Sequence, residues 1–149
     1  MLYLAPDNAE GGMVKQRNRF AAAVLALSAL AAPAVQAGER MWADCRTCHA
    51  VTAQDGAVLA RGGRSGPNLY GIAGRTAGSD GDFRFYSDAM RAARSRGVSW
   101  TQDNFVAYLA NPDQFLRSVT GNPDASADMH VELRQGGQAL FEYLRGLSQ

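Results

Sequence analysis

Lysine is nearly missing from this chain: Lys15 is the only one among 149 residues. Cysteine and histidine are as scarce, two of each, at Cys45, Cys48, His49 and His130. Each shortage excludes something. From Gly38 onward 12 arginines stand against 12 acidic residues, a balance that leaves no basic excess for general nucleic-acid binding. Two cysteines with only two residues between them make a poor structural staple, so a disulfide framework does not organise the chain. A zinc site would need two further cysteine or histidine ligands, and outside the segment Cys45–His49 only His130 remains. A redox dithiol would want a βαβ context, yet no strand-like alternation persists anywhere, and no internal repeat is present.

A long hydrophobic run is also absent. Phe20 to Ala32 is apolar but short of the ~20 residues that span a bilayer. Lys15, Arg17 and Arg19 precede it as a basic region, and Ala32-Pro33-Ala34 or Val35-Gln36-Ala37 offers a small-residue cleavage site. Residues 13–37 therefore read as a cleaved secretory signal peptide. Met1 to Gly12 is an acidic prefix without targeting logic, which makes Met13 the candidate initiator. The expectation is export to the periplasm with no permanent membrane anchor. Residues 1–37 are then prefix and signal, cleaved after Ala34 or Ala37, and residues 38–149 form a single domain.

Cys45-Arg46-Thr47-Cys48-His49 organises the rest. Cys-x-x-Cys-His is the pattern of covalent c-type haem attachment, with two thiols as thioethers and the adjacent histidine as an iron ligand. Two intervening residues put both sulfurs on one side of a helical turn. With two tryptophans and five phenylalanines from Gly38 onward a domain of this size has a thin core, and a buried haem would supply much of the missing apolar contact.

Around that site the pattern predicts helices separated by loops. Gly38 to Cys48 reads as a helix with Met41 and Trp42 on its apolar face. Val51 to Ser65, with three glycines and alternating charge, reads as a loop. Gly66-Pro67 then breaks any helix, and Ile72 to Tyr86 stays irregular. Ser87 caps a helix from Asp88 to about Ser95, ended at Gly97. Thr101 caps another, with Phe105, Val106, Tyr108 and Leu109 at helical spacing, stopped by Asn111-Pro112. A short helix runs through Phe115 and Leu116 to Gly121. A polar loop, Asn122 to Asp128, leads to Met129, and the last helix starts near Gln138. The chain reads as all-α with long loops.

The iron position opposite His49 needs a soft or imidazole donor, and Met/His ligation suits electron transfer. The candidates are Met41, Met90, Met129 and His130. Met41 lies too close to the haem cysteines along its helix to reach the other side. Met90 sits on an apolar helical stripe, where methionine usually fills the core. Met129 follows a flexible loop that can wrap the far side, and the adjacent His130 is its rival.

The segments GPNLYGIAGRTAG (Gly66 to Gly78), YSDAM (Tyr86 to Met90), GVSW (Gly97 to Trp100), YLANPDQFL (Tyr108 to Leu116) and TGNPDASADM (Thr120 to Met129) follow CRTCH in this order. Together they resemble a class I cytochrome c, specifically bacterial cytochrome c2, over essentially all of residues 38–149. The resemblance implies a small helical fold wrapped around one covalently attached haem, with Met129 as the distal ligand. It implies that the Pro67 carbonyl accepts the His49 ring N–H, and that Arg75, Tyr86 and Trp100 hydrogen-bond a haem propionate. It places the Tyr108 hydroxyl near the methionine sulfur, and Gly38 and Tyr143 where the first and last helices cross.

The function so implied is that of a soluble, monomeric periplasmic electron carrier, not an enzyme. Its electrons would pass from a cytochrome bc complex to a photosynthetic reaction centre or cytochrome oxidase by transient docking. One departure stands out. Cytochrome c2 proteins generally ring the haem edge with lysines that steer them to acidic partners, and this chain has none there. It offers Asp124, Asp128 and Glu132 near the distal loop, with Arg117 and Arg134, and Arg84, Arg91, Arg94 and Arg96 as a candidate positive patch elsewhere. An auxiliary carrier for another periplasmic redox enzyme is the alternative. A haem-based gas sensor or weak peroxidase would need an open sixth iron position.

Overall fold

Local capping chemistry sets most of the helices. In the computed structural model, which describes residues 32–149, the elements run α1 (Ala32–Cys45), β1 (Val51–Thr52), β2 (Val58–Ala60), α2 (Asp88–Ser95), α3 (Gln102–Ala110), α4 (Pro112–Thr120) and α5 (Gly137–Gly146). Ser87 caps α2 by accepting from the Met90 amide at 3.2 Å. Thr101 does the same for α3 through the Asn104 amide at 3.2 Å. Asn111 ends α3 and also caps α4, accepting from the Gln114 amide at 2.9 Å with Pro112 in the first turn. These side chains satisfy amides that have no partner inside their helix.

Two expectations need correction. Helix α1 does not reach Cys48: the amides of Cys48 and His49 both donate to the Cys45 carbonyl, at 3.1 and 3.0 Å, so the chain tightens into a turn. The segment read as a loop from Val51 holds an antiparallel pair, β1 with β2, in the register Val51 to Ala60 and Thr52 to Val58. A single bridge between Thr76 and Ser99 adds a second strand-like contact. Strands of two and three residues are too short to show a period of two in sequence. The prefix and the signal segment through residue 31 lie outside the described residues. Among the described residues no helix is long and apolar enough to cross a membrane.

Helix α1 makes its most extensive contact with α5. Gly38 allows it: a Cβ there would come within 2.2 Å of the Ala139 carbonyl oxygen and 2.4 Å of the Tyr143 Cβ. Trp42 of α1 and Leu140, Phe141 and Leu144 of α5 are buried in the same core as Phe105, Leu109, Phe115 and Leu116 of α3 and α4. Trp100 stacks on Phe115 with ring centroids 6.0 Å apart. The helices thus form a shell whose inner face is not filled by side chains alone.

Candidate haem site

That shell encloses a cavity of about 570 Å³, within the size range of cofactor pockets. Leu69, Ile72, Met90, Phe105, Leu109, Leu133 and Leu140 line it, with Cys45, Cys48 and His49 on its wall. Pro67, Arg75, Tyr86, Trp100, Tyr108, Met129 and His130 reach the same cavity. The residues picked out from the sequence as cofactor contacts are therefore brought together in one space. Met41 is not part of the lining; it packs partly buried against the core.

His49 is oriented from behind. Its Nδ1 lies 2.7 Å from the Pro67 carbonyl oxygen. A carbonyl can only accept, so Nδ1 carries the proton and Nε2 is left free as a donor atom toward the cavity. Burial holds the imidazole below the ordinary histidine range, with the Pro67 carbonyl opposing. A neutral ring is the form that ligates a metal. The Cys45 thiol goes the other way, pushed up to about 11 by burial first and then by Asp44 and Cys48. A thiol held in that form is not an activated nucleophile.

The loop between Gly66 and Tyr86 is tied by Asn68 and Asp80, which the sequence did not single out, together with Arg75 and Tyr86. Asn68 accepts from the Thr52 amide at 3.0 Å and donates to the Thr52 carbonyl at 2.7 Å, which fastens the proline segment to β1. Arg75 donates to the carbonyls of Asn68 and Tyr70, at 2.7 and 2.9 Å. Burial lowers its pKa, opposed by Tyr86 and Asp80. The Tyr86 hydroxyl accepts from the Asp80 amide at 3.2 Å. Tyr108 is 8% exposed, and burial, with Asp128 and Asp113 behind it, raises its pKa far enough that the hydroxyl stays protonated.

Across the cavity, the segment before Met129 is held to α4. Asp113 accepts from the Ala127 amide at 2.8 Å, and Arg117 donates to the Ala125 carbonyl at 3.2 Å. Ala125 and Ala127 are buried, Met129 is half-buried and His130 is exposed. No feature of the sequence marked Asp113, because its partner lies 14 residues away.

An apolar cavity with two thiols and a donor-ready imidazole on one wall and a thioether on its lining fits a covalently attached haem. A helical shell around such a site defines a class I c-type cytochrome. No family model matches the chain. It is 41% identical over 135 residues to cytochrome c-551 of Roseobacter denitrificans, covering 87% of this chain and 96% of that protein. It is 37% identical over 131 residues to cytochrome c2 of Cereibacter sphaeroides, covering 83% and 90%. The solved cytochrome c2 of Rhodobacter capsulatus superposes with a TM-score of 0.74 at 34% identity, over 77% of this chain and 98% of that one. The chain belongs to the cytochrome c2 family. It is a monohaem electron-transfer cytochrome, and its cofactor is one covalently bound haem c, for which Cys45 and Cys48 have the spacing.

Proposed function

We propose that this protein carries single electrons in the periplasm, from a cytochrome bc complex to a photosynthetic reaction centre or terminal oxidase, and catalyses no reaction of its own. The observation that carries the reading is that His49 and Met129 line one apolar cavity, so the protein itself would supply two ligands to the iron. Haem held there supplies a one-electron couple. Cys45 and Cys48 would anchor it and His49 and Met129 would ligate it, while Pro67 fixes the imidazole ring. Arg75, Tyr86 and Trp100 stand at the cavity as propionate partners, and Tyr108 keeps a protonated hydroxyl there. The apolar lining limits access of water, which limits reorganisation during electron transfer.

The surface beside the cavity offers apolar area for docking and lacks the lysines that would steer it by charge. Phe85, 79% exposed, and Val131, 42% exposed, border the cavity. Of the four arginines read from sequence as a positive patch, Arg91 is paired with Asp88 at 2.5 Å, whereas Arg84, Arg94 and Arg96 form no ion pair among the described residues; near the distal loop Arg117 and Arg134 are paired with Asp113 and Glu132. Oxidation of the ferrous protein by a photosynthetic reaction centre is expected to show only a weak salt dependence, measured by flash kinetics at several ionic strengths. A steep fall in rate with added salt would count against this docking mode, since long-range steering is screened. Ready binding of carbon monoxide, with no far-red sulfur-to-iron absorption band in the oxidised protein, would instead sink the carrier reading. The missing lysines favour a second reading, an auxiliary carrier for another periplasmic redox enzyme; rapid reduction or oxidation by such an enzyme alone would establish it.

The Asp113–Ala127 bond gives a further test. Asp113→Ala removes a carboxylate acceptor that holds the loop two residues before Met129, a loss of about 1 kcal/mol for a half-exposed bond. Imidazole added to the oxidised protein is then expected to displace the methionine about 5-fold faster, followed by stopped-flow absorbance.

A further inference from the structure

We propose that Asp80 tunes the axial histidine through a single peptide group. The unit joining Pro67 to Asn68 is hydrogen-bonded at both ends. Its carbonyl oxygen accepts from His49 Nδ1 at 2.7 Å. Its N–H, on Asn68, donates to Asp80 Oδ2 at 2.8 Å. The two ends communicate because amide resonance spreads electron density over nitrogen, carbon and oxygen. A carboxylate drawing on the N–H pushes density onto the carbonyl oxygen, which becomes the stronger acceptor. Hydrogen bonds in series polarise one another in this way, and a charged acceptor does so more than a neutral one. The His49 contact, at the short end of the N–H···O range, agrees with that strengthening.

The surroundings keep the relay in place. The second oxygen of Asp80 accepts from the Asp82 amide at 3.2 Å, and its own amide donates to the Tyr86 hydroxyl at 3.2 Å. The Asn68 side chain accepts from the amides of Thr52 and Tyr70, at 3.0 and 3.1 Å, so the peptide cannot rotate away from either partner. Asp80 is half-buried, which limits screening by water. It does not touch His49: it is a positioning residue that makes the imidazole more electron-rich. A more basic axial ligand favours the oxidised state, so Asp80 lowers the midpoint potential.

This rests on His49 being an axial ligand, as the proposed function has it. The test compares Asp80→Asn with Asp82→Asn. Both remove one negative charge, but the exposed Asp82 side chain is not bonded to the Pro67–Asn68 peptide. In the haem-loaded ferrous protein, Asp80→Asn is expected to move the His49 Nδ1 proton resonance upfield. It should also shift the equilibrium with a reference couple about threefold toward the reduced form, about 28 mV for one electron. Asp82→Asn should do neither. An unmoved Nδ1 proton in Asp80→Asn, or an equal potential shift in Asp82→Asn, overturns the proposal. In the unmodified protein a scalar coupling across the hydrogen bond, from the Asn68 amide nitrogen to the Asp80 carboxyl carbon, is expected; its absence overturns the proposal without any variant. A wild-type spectrum lacking the shifted ring resonances of a ligating His49 would instead defeat the ligand assignment itself, and the relay with it.

Discussion

Met129→Ala is expected to lower the midpoint potential by a large share of the ~0.8 V that axial ligation spans, and to abolish the far-red band of the oxidised protein. A thioether is a soft donor that favours the reduced state, which is why Met/His ligation gives high potentials. Without it the position falls to water or to a stronger σ-donor, and His130 is next in the chain on the same cavity lining. The double variant Met129→Ala, His130→Ala separates the two: capture by His130 predicts a low-spin single variant and a high-spin double variant. Met90 lines the cavity as well, but it is 7% exposed and packed on Gly78, so it is expected to stay in the core. Retention of the band and the potential in Met129→Ala, with their loss in His130→Ala, would reverse the ligand assignment.

Gly62→Ala is expected to destabilise the protein by about 3 kcal/mol or more, although exchanging a loop glycine for alanine usually stabilises by ~0.4–1 kcal/mol through the unfolded chain. The sign reverses because a Cβ on Gly62 would sit 1.7 Å from the His49 carbonyl oxygen and 2.7 Å from that of Arg46. Both are backbone atoms, with no side chain to swing aside. The segment must lift off the haem-binding turn, which breaks the bonds from the Gly63 amide to Arg46 and from the Gly66 amide to Cys48, each 2.8 Å. Overpacking at ~1–3 kcal/mol and two hydrogen bonds at ~0.5–1.5 kcal/mol each account for the total. Near 4 °C per kcal/mol for a domain of about this size, Tm should fall by roughly 12 °C. Gly81→Ala is the control: nothing lies within 4 Å of a Cβ there, so it should be neutral or slightly stabilising. A Gly62→Ala protein that melts like the Gly81→Ala protein would show that this loop does not press on the turn.

The helices with local start and stop chemistry were legible in advance. Ser87, Thr101 and Asn111 each satisfy an amide three residues on, and Gly97 and Gly121 take the positive φ that ends a helix, at 70° and 66°. These are interactions within one turn, so the order of residues contains them. The α1 end and the two strands were not legible. Where α1 stops depends on a bifurcated contact at Cys45, and β1 and β2 exist only because their segments meet.

The same division runs through the site. Cys45, Cys48 and His49 declare the cofactor in sequence, because covalent attachment requires adjacent groups at one fixed spacing. Met129 could be narrowed from the residues to a short set of donors and singled out only by family resemblance. The loop contact through Gly62, the hold of Asp113 on Ala127 and the relay from Asp80 through Asn68 to His49 were invisible until the chain was folded. Each joins groups 12 or more residues apart. Short-range chemistry is written in neighbouring letters, whereas the tuning of the ligand depends on which distant backbone groups close packing brings within hydrogen-bond reach.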